Sequence, residues 1–445
     1  MKRIGLCNLS LQLLLESMNL INLQVLLTVI VLLSSGKLVG CSYLSDRSSN
    51  KTVAIAVPTR SFRERMSMTK TEYGPKNTST PPATSTTVYT PSATFTNTST
   101  PPTTPTPFNE YCGDYPCNED IGGWLERIEL PSDFVVSHRA QLPNNERPTS
   151  LTYSPDGRLF ASSMEGNIYV FDTNREPTVY AQGFHLPIGL VFRPGSNVLY
   201  VSSRSFPPAQ RSNSGKVTIV QTDQTQTDIV TGLPCCYTTD MHQPNSLAFG
   251  PDGKVYLSIG AMSDHLEPST AFEAAVLRFD SDGGNLERFA GGLRNPYDLT
   301  FDAEGRLFVT DNGPDYGGPE LLYYVEQGDQ LRFPYYSDCD YCPSAPPEVK
   351  ITDPIATFVP HGAITGITTY THNIFPDEYY NSLFVVLWSA FPGAQKIVHV
   401  QTFPTQTSDF MLGLAAPIDV AQTPSGGLVV ADWATGHIFE ISFGK

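Results

Sequence analysis

Two short stretches of this chain carry more chemistry than a turn requires. The first is Asp240-Met-His-Gln-Pro-Asn-Ser-Leu-Ala-Phe-Gly-Pro-Asp-Gly253. A neutral imidazole at His242 is suited to taking a hydroxyl proton near neutral pH. A histidine that only ties down a loop is the plain alternative. The second is Gly291-Gly-Leu-Arg-Asn-Pro-Tyr-Asp-Leu-Thr-Phe301, followed by Thr310-Asp-Asn-Gly-Pro-Asp315 and Glu320. Arg294 and Asn295 are adjacent hydrogen-bond donors. The run from Asp311 to Asp315 offers carboxylates and free carbonyls, the hard oxygen ligands that calcium takes. Here the plain alternative is a polar turn.

What must position these residues is a repeat. Six segments share an apolar strand, a turn on Pro-Asp-Gly or a relative, and a second strand. They open at Leu151, Leu190, Leu247, Leu299, Ile367 and Ile418, at intervals of 39, 57, 52, 68 and 51 residues. Leu151-Thr-Tyr-Ser-Pro-Asp-Gly-Arg-Leu-Phe160 is typical, and the fifth copy is the loosest. Pro presets φ, Asp bonds its own backbone and Gly takes a positive φ, so each turn reverses the chain. Further strands, such as 166–172 and 436–441, extend each unit to four. Units of this kind stack to bury their faces, and six of them close a ring. The expected fold is therefore all-β, a six-bladed β-propeller over residues 108–445. The segment 127–136 is expected to complete the sheet of the last blade and latch the ring. His242 and the Arg294-Asn295 pair each precede the innermost strand of successive blades, which puts them at one mouth of the central channel.

Together these motifs carry a resemblance. Gly-Leu-Arg-Asn-Pro-Tyr and Thr-Asp-Asn-Gly-Pro, in the blade after a His-Gln pair and Phe-Gly-Pro-Asp-Gly, resemble the glucose/sorbosone dehydrogenase family over about residues 125–445. The resemblance implies a propeller that binds pyrroloquinoline quinone (PQQ) with calcium and oxidises the C1 hydroxyl of aldoses. It implies His242 as general base with Gln243 beside it, and Arg294 and Asn295 on the quinone oxygens. It gives calcium the backbone carbonyls of Gly313 and Pro314. The implied partners are a sugar or polyol and an external electron acceptor. The basic residues that grip the PQQ carboxylates in the family are missing, since the matching stretches read Leu387-Trp-Ser-Ala-Phe391 and Ala415-Ala-Pro-Ile-Asp419. The family's Tyr-Gly-Trp-Pro is replaced by Leu331-Arg-Phe-Pro334, with Arg332 as a candidate substitute cation. Two other readings stand beside the dehydrogenase: a non-catalytic propeller that binds carbohydrate or protein, and a metal-dependent sugar-lactone hydrolase.

The N-terminus speaks of export. Lys2 and Arg3 precede an apolar run from Leu20 to Leu33, then Leu38-Val-Gly-Cys41. Residues 1–40 read as a signal peptide, and the tetrapeptide resembles a bacterial lipobox, in which the Cys41 thiol takes a diacylglycerol. An uncleaved anchor helix is the alternative. Residues 41–107 read as a lipidated N-terminus and a Thr/Ser/Pro stalk that cannot bury enough apolar surface to fold. The expectation is a membrane-anchored lipoprotein facing out of the cytoplasm. In that oxidising compartment the six later cysteines read as disulfides, with Cys112–Cys117 and Cys339–Cys342 as local pairs and Cys235–Cys236 either vicinal or divided between partners. A formal charge of −16 disfavours nucleic acid.

Overall fold

The computed structural model describes the backbone of 30–34, 37–44 and 53–56, Cys112, and residues 121–172, 176–205, 212–237, 242–315, 317–337, 339 and 342–444. The chain divides into two compact units, 1–100 and 101–445. In the first, Ile30–Ser34, Lys37–Leu44 and Val53–Ala56 form a three-stranded antiparallel sheet. Cys41 lies on its middle strand, opposite Ile30 and Ala56. The rest of the expected leader and the Thr/Ser/Pro stalk lie outside the described residues. Among the described residues, no helix is long and apolar enough to cross a membrane.

The second unit holds six four-stranded antiparallel sheets, the blades. Their innermost strands are Pro148–Tyr153, His185–Phe192, Pro244–Phe249, Pro296–Phe301, Ile364–Tyr370 and Pro417–Gln422. The repeated turn behaves as its residues dictate. In blade 1 Ser154 N–H donates to Arg158 O at 2.9 Å and Gly157 N–H to Ser154 O at 2.8 Å, with Gly157 at φ +85°. The loose fifth copy replaces this turn by a longer one containing a 3-10 turn, Asp377–Tyr379. Second strands such as Leu159–Ser163 and Val255–Ile259 are buried at every position, because a blade is covered on both faces. The core is thus a series of blade-to-blade layers. Phe160, Phe308 and Phe384 are fully buried in them, each contributing about 1.5–3 kcal/mol.

The latch exists, in a later register than expected. Phe134–Gln141 pairs antiparallel with His437–Phe443 as the outermost strand of blade 6. The earlier part of the expected segment, after the short helix Ile121–Arg127, pairs instead with blade 5 through a Glu129–Leu412 bridge. Pro131 and Asp133, at φ +70°, turn the chain between the two, so one strand could not run through both. Phe134 pins the latch by packing edge-on against Phe375, Phe410, Phe443 and Tyr379, at 4.8 to 5.3 Å between ring centroids.

Cys339–Cys342 and the vicinal Cys235–Cys236 are disulfides. Cys112 is also disulfide-bonded, and Cys117 lies outside the described residues. Buried carboxylates tie neighbouring blades near the axis. Asp298 accepts Ile367 N–H at 2.7 Å, and Asp419 accepts Leu151 N–H at 2.6 Å. Tyr297 reaches across the channel from blade 4 to donate to Thr149 O of blade 1 at 3.2 Å.

Closing a ring through one latch predicts a local sensitivity. Phe134→Ala should lower the unfolding free energy by about 2–4 kcal/mol, the usual range for a packed aromatic truncated to Ala. Denaturant titration measures it. A change below about 0.5 kcal/mol, ordinary for a surface site, would mean that Phe134 does not hold the ring closed.

Candidate active site at the channel mouth

The mouth is built by one device used repeatedly. Two residues lead into each innermost strand, and one residue follows the second strand. The follower's N–H donates to the carbonyl of the second lead-in residue. This holds for Met164 to Arg147 at 2.8 Å, Gly260 to Gln243 at 3.1 Å, Asn312 to Asn295 at 3.3 Å, Trp388 to Ala363 at 3.0 Å and Trp433 to Ala416 at 2.7 Å. The side chains at these positions therefore ring the mouth, and His242-Gln243 and Arg294-Asn295 are the lead-in pairs of blades 3 and 4.

A buried aspartate fixes two of the lead-ins. Asp311 accepts the N–H groups of Arg294 at 3.1 Å and Asn295 at 2.8 Å. Asp432 does the same for Ala415 at 2.9 Å and Ala416 at 2.8 Å. Burial pushes the Asp311 carboxyl up to about 7, against the two N–H groups that stabilise its charge. Glu320 joins blades 4 and 5 by accepting Gly313 N–H at 2.9 Å and Ala363 N–H at 3.1 Å.

His242 sits at φ +58°, its side chain fully covered. The close approach is possible because Gly260 has no side chain; a Cβ there would meet His242 Cα at 2.6 Å. Nδ1 lies 2.7 Å from Ala261 O, which can only accept. Nδ1 therefore carries the proton and Nε2 holds a lone pair. Nε2 has no hydrogen-bond partner among the described residues. Burial, and secondarily the Arg294 charge, push the imidazole down to about 4, so it is neutral at pH 7. Gln243 is also buried. Its amide donates to Leu186 O at 2.9 Å and ties blade 3 to blade 2.

Arg294 is 4% exposed. Its Nε and Nη2 donate to Asp264 Oδ1 at 3.1 and 2.7 Å, Nη2 also to Asp315 Oδ1 at 2.6 Å, and Nη1 to Gly313 O at 2.6 Å. Burial opposes the charge, but the two carboxylates outweigh it and hold the guanidinium firmly protonated. Asp315, which burial alone would raise, is held below the usual carboxylate range by His265 and Arg294. The ligand-like cluster of Asp264, His265 and Asp315 thus has a cation already, the guanidinium.

The structure brings His242, Gln243, Arg294, Asn295 and Gly313 to one mouth. Gly313 O, expected to face a metal, accepts from Arg294. Arg332 is salt-bridged to Asp353 at 2.9 Å. Sequence reasoning missed Asp264 and His265, which lie on a long loop whose residue types carry no motif. It also missed Trp388 and Trp433, whose signal was their common place in the repeat. Two surface clefts of about 340 and 350 Å3, on the flanks of blades 4–5 and 1–2, bring together no comparable set.

PQQ is a planar tricarboxylate, so its fit can be judged by donors and charges. Four of the five Arg294 N–H groups are used internally, which leaves one for a quinone. Asn295 accepts from Asn245 at 3.1 Å, and its NH2 has no partner among the described residues. The quinone end of PQQ is thereby matched. Its carboxylates are not, because the lead-ins of blades 5 and 6 are Gly362-Ala363 and Ala415-Ala416. Arg147 of blade 1 is paired with Glu165 at 2.9 Å. The residues of this mouth therefore fit the quinone end of PQQ and not its carboxylates.

The family model described as Glucose / Sorbosone dehydrogenase matches residues 145–438. An uncharacterized protein of Borreliella burgdorferi is 26% identical over 274 residues, 58% of this chain and 71% of that one. The PQQ-bound form of an aldose sugar dehydrogenase from Streptomyces coelicolor has a TM-score of 0.56 at 18% identity, over 71% of this chain and 99% of its own. The holo form of a pyranose dehydrogenase PQQ domain from Coprinopsis cinerea has a TM-score of 0.56 at 15% identity, over 71% and 97%. At such identities these two structures speak for the fold.

The Arg294–Asp264 pair makes a stability prediction. Arg294→Met strands a buried carboxylate and should cost about 3–5 kcal/mol. Adding Asp264→Asn should recover part of that loss, as a double-mutant cycle on unfolding measures. Strictly additive effects would mean that the pair is not coupled.

Proposed function

The chain belongs to the glucose/sorbosone dehydrogenase family, and from that premise we propose that it oxidises a sugar or polyol hydroxyl at the propeller mouth, outside the cytoplasm, tethered through a lipid on Cys41. His242 takes the hydroxyl proton. The observation that carries this reading is the Nε2 lone pair, with its tautomer fixed by Ala261 O and no partner among the described residues. A general base needs its free form at working pH, and burial supplies that by keeping the imidazole neutral. In the conformation described Nε2 is covered, so proton transfer from a hydroxyl requires a movement that uncovers it. Arg294 is held rigidly by Asp264 and Asp315 and keeps one N–H for an oxygen that gains negative charge.

The hydride needs a two-electron acceptor; one of the quinone class that family membership suggests would meet the Arg294 and Asn295 donors, although the mouth has no grip for the carboxylates of PQQ itself. The missing carboxylate grip favours a second reading, in which the mouth binds carbohydrate without turning it over.

The experiment is dye reduction by the purified protein with aldoses, with and without PQQ and calcium. The dehydrogenase reading expects reduction, and His242→Ala should lower kcat/KM by about 10²–10⁴-fold. The imidazole is depressed below its ordinary 6.5, so its free-base form is lost only as pH falls through about 4. The acid limb of kcat/KM should therefore centre near 4. An acid limb near 6.5 would remove His242 from the role of a buried base. No reduction under any condition would leave the carbohydrate-binding reading.

A further inference from the structure

The two halves of the mouth differ in kind. Blades 3 and 4 present His242, Arg294, Asn295 and Asn312. At the corresponding places blades 5 and 6 present Gly-Ala and Ala-Ala lead-ins, followed by Trp388 and Trp433. The small lead-ins bring no polar side chain to this half, Ala415 and Ala416 being fully buried, and both followers are indoles. Trp388 and Trp433 meet edge to face, 5.4 Å between centroids at 80°, which makes a right-angled apolar corner. Both are half-buried. Arg147, fixed by Glu165, stacks on Trp433 at 5.2 Å and stiffens it from the blade 1 side. The corner adjoins the polar half directly. Asn312 donates to Ile364 O at 2.9 Å, and Trp388 bonds the preceding residue, Ala363, which Glu320 also holds.

We propose that Trp388 and Trp433 seat the apolar face of a pyranose ring whose hydroxyls turn toward blades 3 and 4. The choice of a sugar rests on the dehydrogenase-family reading above; the corner is there whether or not the site turns over. A pyranose has a C–H face for an indole and a rim of hydroxyls for amide and guanidinium donors. A polyanion would find the charge at this corner, Arg147, already paired with Glu165. A wholly apolar ligand would leave the donors of the other half unpaired, at a cost.

The chain contains three tryptophans. Trp124 is 1% exposed in the core, so intrinsic fluorescence changes on ligand addition report mainly the corner. The full chain, purified in detergent, is titrated with glucose, xylose and maltose. The proposal expects a saturable spectral change with at least one of them. Trp388→Ala and Trp433→Ala should each weaken half-saturation by about tenfold, the equivalent of 1.4 kcal/mol. Trp388→Tyr should retain most of the affinity, and the midpoint of thermal unfolding, read by circular dichroism, should show that each variant folds. Half-saturation unchanged in both Ala variants, or no spectral change with any sugar, would overturn the proposal. Binding without dye reduction would sink the dehydrogenase reading and leave the corner standing. Dye reduction with KM unaltered in both Ala variants would sink the corner and leave the dehydrogenase.

Discussion

The mouth depends on the burial of one guanidinium. Arg294 cannot be taken out of water without anionic and carbonyl partners, because desolvation of an unpaired charge costs several kcal/mol. Asp264, Asp315 and Gly313 O meet that demand. In doing so they fix the loop after the second strand of blade 3 to the loop after the second strand of blade 4. The same contacts orient His242. Ala261 N–H donates to Arg294 O at 2.7 Å, and Ala261 O receives the imidazole Nδ1–H. The position of the free lone pair is thus a consequence of where the charge is neutralised.

A single scaffold device then yields two unlike surfaces. Asp311 in blade 4 and Asp432 in blade 6 hold lead-in N–H groups in the same way, although one presents Arg-Asn and the other Ala-Ala. Because the backbone is carried by the aspartates, the lead-in side chains are free to differ. That freedom lets one half of the mouth be ionic and hydrogen-bonding while the other is aromatic. Tyr297 crosses the channel from the second position of its strand, close to this mouth, and so gives the site a floor.

Much of the architecture was legible because turn chemistry is local. Pro-Asp-Gly, Pro-Ser-Gly-Gly and Ala-Glu-Gly mark the reversal in blades 1, 3, 4 and 6, Pro194-Gly-Ser-Asn197 does so in blade 2, and blade 5 is recognised by its strands alone. The latch was legible as an idea, but its register turned on Pro131 and a positive φ at Asp133, which a hydrophobic pattern does not reveal. In the site, His242, Arg294 and Asn295 were readable from their place before innermost strands. Asp264 and His265 were not, since they come from an irregular loop whose path is set by Arg294 itself. Trp388 and Trp433 stood in plain view. Their meaning needed the hydrogen bonds that align them with Asn312 across blades.

The most direct test of the account is the protonation of His242. Nitrogen-15 NMR of the histidine side chains, with His242→Gln to assign the signal, reads both tautomer and titration. The account predicts a neutral ring protonated at Nδ1, unchanged from pH 7.5 downward until it titrates near 4. A ring that titrates near 6.5, or one protonated at Nε2, would contradict it, for the mouth would then hold no buried lone pair to receive a proton.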